Sequence, residues 1–76
     1  MTSLHTPILP RWICAACARA WPCPTRRGQL SAAYDRAPAC LALVMASRFV
    51  EASEDLHDVP AGELRVRFLG WLRGAR

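Results

Sequence analysis

Cys14, Cys17 and Cys23 fall within ten residues as C-x2-C-x5-C, with eight residues separating His5 from Cys14 and a fourth cysteine, Cys40, standing apart downstream. Nothing else in the sequence constrains the fold as strongly, because a chain of 76 residues has to find stability outside its core. Below roughly 70–80 residues a hydrophobic core seldom supplies more than about 3–5 kcal/mol, and a disulfide, a metal or a partner makes up the rest. The apolar fraction of 53% does not remove that need, since 13 alanines and 4 cysteines are counted in it and only 23 large apolar side chains remain.

Which staple the cysteines provide depends on the compartment. Met1 to Trp12 carries two prolines and a histidine in place of a basic start and an apolar run, so no signal peptide is expected. The most apolar stretch, Ala37 to Ala46, is well short of the roughly 20 residues a membrane span needs. A cytoplasmic location with no membrane partner follows as the expectation, and in a reducing cytoplasm clustered thiols read as metal ligands before they read as disulfides. A thioredoxin-like pair is disfavoured because that motif needs a βαβ setting.

Zinc asks for four nitrogen or sulfur donors in a tetrahedron, and two cysteines two residues apart bend round one ion as a knuckle, here with the small Ala15 and Ala16 at the turn. Cys23, bracketed by Pro22 and Pro24, is the third thiolate. His5, returning along Thr6–Pro10, completes a Cys3His set of His5, Cys14, Cys17 and Cys23 holding one Zn2+ per chain; Cys40, His57, water or a partner's donor are the alternatives for the fourth place. Structural zinc contributes about 10–16 kcal/mol of apparent binding free energy near neutral pH, enough to stabilise a thin core. The alternative cofactor is an iron-sulfur cluster, because C-x2-C-x5-C resembles the spacing of WhiB-type cluster proteins. That family's Gly-Val-Trp-Gly-Gly turn is absent, however, and the fourth cysteine lies downstream instead of upstream.

The expected fold is small and all-α, with an irregular N-terminal zinc knuckle packed on about three short helices in a single domain, 1–76. Residues 1–24 form the knuckle segment, with prolines at 7, 10, 22 and 24 and no sustained period, and 25–76 form the helical segment. Thr25 is expected to cap a first helix reaching about Asp35, with Gly28 weakening it. The second helix opens at Pro38 and carries Leu41, Met45, Phe49, Ala52 and Leu56 at helical spacing, ending before His57-Asp58-Val59-Pro60. The third runs from about Ala61 to Arg73 with Leu64, Phe68, Trp71 and Leu72 on one face. No strand is expected. Trp12, Trp21 and Trp71 are expected in the core or over the metal shell, and His57 near a helix C-terminus complements its dipole.

The net charge of +4 comes from ten arginines, with no lysine and no asparagine in the chain. That usage, beside abundant alanine, is what a GC-rich genome produces, so the charge by itself does not require an acidic partner. Arg26, Arg27, Arg65, Arg73 and Arg76 are the residues that would contact phosphates if the partner were nucleic acid.

Taken together, His5-x-Pro7-x-x-Pro10-x-Trp12-x-Cys14-x-x-Cys17, Trp21-Pro22-Cys23, Glu54-Asp55-Leu56 and Arg67-Phe68-Leu69-Gly70-Trp71 resemble a group of small uncharacterised actinobacterial proteins over nearly the whole chain. The resemblance implies a metal-binding helical protein with His5 in the site, and brings no activity with it. Ala18 stands where that group often has glycine. No enzyme is expected, since neither H-E-x-x-H nor H-x-E with P-C-x-x-C is present and four protein ligands leave no open coordination position. The leading expectation is a zinc-stapled adaptor presenting a helical surface, including Leu43, Val66 and Leu69, to a protein partner; the alternative is a small nucleic-acid-binding transcriptional regulator.

Overall fold

A computed structural model of the chain describes residues 4–72, so Arg73 and Arg76 lie outside the described residues. The order of elements is β1 (Pro7–Ile8), β2 (Ile13–Cys14), α1 (Pro24–Ala33), α2 (Pro38–Asp55) and α3 (Ala61–Leu69). The fold is broadly helical without being strictly all-α, because the N-terminal segment folds into paired backbone. β1 and β2 are antiparallel, with Pro7 opposite Cys14 and Ile8 opposite Ile13, and a further bridge joins Ile13 to Ala20. The expectation of no strand is corrected here. Two-residue strands are too short to leave an alternating signature, and tight turns make them: Trp12 at φ 57° closes the first, with its N–H donating to the Ile8 carbonyl at 2.8 Å.

Two helix boundaries differ from the sequence expectation. Cys23, not Thr25, caps α1: its backbone is extended, its sulfur accepts the Arg26 N–H at 3.5 Å and its carbonyl accepts the Arg27 N–H at 2.9 Å, and Pro24 takes the first helical turn, where a missing N–H costs nothing. α3 stops at Leu69 instead of continuing to Arg73. A Cβ at Gly70 would stand 2.7 Å from the Val66 carbonyl oxygen, so glycine permits the close approach with which the chain leaves the helix. Trp71 and Leu72 then fold back against the core, beside Tyr34, Pro38 and Leu41.

α2 is the central element. Its predicted stripe is recovered, with Leu41, Met45 and Ala52 buried and Phe49 and Leu56 partly so, and it packs chiefly on α3 through Leu64 and Phe68. The knuckle segment is built into this core. Trp12 and Phe68 are fully buried and Trp21 nearly so, their ring centroids 5.6 to 6.0 Å apart in tilted and edge-on arrangements. Two of the three largest rings of the core thus come from the segment that the prolines mark as irregular.

Candidate metal centre

The site is assembled from three backbone pieces that share β2. Cys14 ends that strand, and the turn after it carries Ala15 to Ala18 before the chain returns to pair at Ala20. The Cys14 N–H donates to the Arg19 carbonyl at 2.7 Å and the Ala18 N–H to the Cys14 carbonyl at 2.9 Å, which closes the knuckle around the Cys14 sulfur. Ala18 sits at φ 61°, the left-handed region that glycine enters freely and alanine only at a cost. His5 arrives from the other side, fixed by its carbonyl, which accepts the Trp21 indole N–H at 3.0 Å, and by its neighbour Thr6, whose carbonyl accepts the Ala15 N–H at 2.9 Å. Cys23 approaches from the start of α1.

These pieces converge on one point. The ligand atoms of His5, Cys14, Cys17 and Cys23 all lie within 4.8 Å of one another. His5 Nδ1 stands 3.2 Å from both the Cys14 and the Cys23 sulfur. Zn–S bonds of about 2.3 Å and Zn–N bonds of about 2.0–2.1 Å place the donors of a tetrahedron roughly 3.5–3.8 Å apart, a spacing that falls between the 3.2 Å contacts of His5 and the 4.8 Å bound of the whole set. Cys14 and Cys23 are buried, His5 is partly buried and Cys17 is exposed, so the cluster opens to solvent on its Cys17 side.

The Cys14 and Cys17 thiols shift each other's ionisation. Burial alone would push the Cys14 thiol up, but the N–H groups of Cys17 and Ala16 aim at its sulfur and the Cys17 and Cys23 thiols add hydrogen bonds, so it falls from 9.0 to about 6. Cys17 moves the other way. The Arg19 N–H favours its thiolate, yet desolvation and the neighbouring Cys14 and Cys23 sulfurs overcome that and raise it. One thiolate forms readily and the next is opposed by it, as expected of like charges in one small site without a counter-ion.

A second layer holds the site to the helices, and its key residue stands in the sequence only as the first position of the Arg67-Phe68-Leu69-Gly70-Trp71 motif, with no role assigned to it. Arg67 on α3 donates from Nε to the Trp21 carbonyl at 2.8 Å and from Nη2 to the Trp12 carbonyl at 2.7 Å, with its guanidinium 5.3 Å from the Phe68 ring centroid. Burial, followed by the nearby Arg27 charge, lowers its pKa. Arg27 donates from Nε to the Pro22 carbonyl at 3.0 Å, and Trp12 donates from its indole N–H to Asp55 at 2.8 Å. An arginine within a helical charge pattern reads as solvated flank; only its distance to two loop carbonyls marks it as a clamp.

No protein-family model, curated protein or solved structure matches this chain. The site therefore rests on its own geometry. All four expected ligands are brought together, whereas Cys40 is exposed on α2 and His57 lies in the exposed turn after it, both outside the cluster. Arg26 and Arg27 are partly buried on α1 and Arg65 is exposed on α3. Among the described residues no helix is long and apolar enough to cross a membrane.

Proposed function

We propose that this chain is a zinc-stapled adaptor: His5, Cys14, Cys17 and Cys23 hold one structural Zn2+, and the helices so fixed offer an outer face to a protein partner. The observation that carries the metal half is the convergence of four soft and borderline donors on one small volume. An iron-sulfur cluster would spread its ligands around a multi-atom cage, so donors this close support a single ion. Four protein ligands also match a closed structural site in place of a catalytic one, in keeping with a chain that is not an enzyme.

When bound, the ion supplies charge compensation for the thiolates and a covalent cross-link between β2, the N-terminal segment and α1. The chain's own residues do the remainder: the Ala16 and Cys17 N–H groups orient the Cys14 sulfur, Trp21 holds His5 through its carbonyl, and Arg67 ties the loop to α3. The engagement of Arg27 with the Pro22 carbonyl favours a protein partner over nucleic acid, since one of the arginines otherwise available to phosphates is used within the fold. Membership of the small actinobacterial group, with its shared knuckle motif, is part of this proposal, as is a cytoplasmic setting that keeps the thiols reduced.

Elemental analysis by mass spectrometry on protein purified without oxygen, with a visible spectrum taken before any chelator, tests the metal. One zinc per chain and no colour is the expected result. Iron with a broad visible band would replace zinc by a cluster and move the regulator reading ahead of the adaptor.

A further inference from the structure

The face of α2 turned away from the core carries a second apolar stripe. Ala39, Leu43, Ala46 and Val50 are spaced four, three and four residues apart and lie within about 60° of one another at 100° per residue, well away from the buried Leu41, Met45 and Ala52. All four are exposed, Leu43 at 73% and Val50 at 59%. A seam at this spacing, on a helix already buried on its other side, is the pattern with which helices pair along a narrow contact.

We propose that this face binds a second copy of the chain, forming an antiparallel α2–α2 dimer about a two-fold axis passing between Val44 and Met45. The inference rests on the adaptor reading and names its partner. Its support is self-complementarity, which a two-fold contact requires of a single patch. With the axis at that point, Leu43 lies opposite the partner's Ala46 and Ala39 opposite the partner's Val50, so each large side chain meets a small one and both copies are served by the same arrangement.

Charge follows the same symmetry. Arg36 stands immediately before the Ala37 N-cap of α2 and Glu54 lies in its last turn, both exposed. Among the described residues the ion pair on α2 joins Arg48 to Glu51 at 2.9 Å, which leaves Arg36 and Glu54 available. Antiparallel pairing brings each Arg36 to the partner's Glu54 and closes both ends of the seam, whereas parallel pairing would set Arg36 against Arg36.

Sedimentation equilibrium of the zinc-loaded full chain over a wide concentration range tests this, with zinc content and helical circular dichroism recorded for every sample. The expected result is a reversible monomer–dimer equilibrium in the micromolar range, as suits a contact of one helix face below about 1,200 Å². Leu43→Glu should weaken it by about tenfold or more while leaving zinc and helicity unchanged. Arg36→Glu and Glu54→Arg should each weaken association, and the double swap should restore it, because the pair is regenerated across the two-fold. A chain that stays monomeric throughout, an equilibrium indifferent to Leu43→Glu, or a double swap no better than the single ones would overturn the dimer. If zinc and helicity are intact in that monomer, the adaptor reading survives with a different protein on the face; if the purified chain carries no zinc, it is the adaptor reading that fails.

Discussion

Ala18 holds a backbone conformation that its side chain opposes, at the point where the chain turns after Cys17 and brings the Arg19 carbonyl back to the Cys14 N–H. Ala18→Gly removes the Cβ penalty at φ 61° while adding some unfolded-state freedom. The balance should favour the folded state by about 0.5–1 kcal/mol, read as a higher denaturant midpoint with an unchanged slope. Arg67 presents the opposite case of a side chain that the backbone depends on. Removing it leaves the Trp12 and Trp21 carbonyls without their charged donor beneath a packed aromatic cluster. Arg67→Met should cost about 2–3 kcal/mol in equilibrium unfolding, and Arg67→Lys should recover only part, because an ammonium lacks the planar fork that reaches two carbonyls at once. Of these two residues, Ala18 was visible in the sequence as a departure from a glycine position. Arg67 was not, since its partners are 46 and 55 residues away along the chain.

At the level of elements, Cys23 joins the candidate metal site to α1. Its sulfur is both one of the four donor atoms that converge there and the helix cap that accepts the Arg26 N–H. The two roles separate by substitution. Cys23→Ser should lose the metal but keep an oxygen acceptor at the cap, whereas Cys23→Ala should lose both, with a further loss of about 1 kcal/mol. Amide exchange in the first turn of α1 distinguishes them: protection at Arg26 should persist in the serine variant and vanish in the alanine variant. The helices themselves were legible because their stripes repeat over many residues. The hairpin was hidden because strands of two residues have no periodicity to read, and the early end of α3 goes with a backbone approach of Gly70 to the Val66 carbonyl that leaves no room for a Cβ and shows only in the folded chain.

Taken as a single structure, the protein places its candidate metal site against its hydrophobic core, so protonation of Cys14 and folding are linked. In the metal-free chain the folded-state pKa of Cys14 lies below its ordinary 9.0, at about 6. The stability this adds is complete above pH 9, diminishes as pH falls from 9 to 6, and is absent below that. Cys17, being raised, opposes folding only above its ordinary value and leaves the sign in the 6–9 window unchanged. The denaturation midpoint of the metal-free chain should therefore fall steadily as pH is lowered from 9 to 6. Loading zinc near neutral pH should release fewer protons from Cys14 than loading below pH 6, because Cys14 is already ionised near neutrality; calorimetry in buffers of different ionisation enthalpy measures the difference. What could be read from the chain alone was local: which residues can ligate zinc, where three helices run, and that so thin a core requires a staple. Ligand chemistry and helical period are properties of short spacings. Folding was needed to show that His5 and Cys23 meet the knuckle within 4.8 Å, that Trp12 and Trp21 build the core with Phe68, and that Arg67 clamps the loop. Those contacts join positions far apart in sequence, and their existence depends on the packing of α2 against α3, which no short stretch of residues encodes.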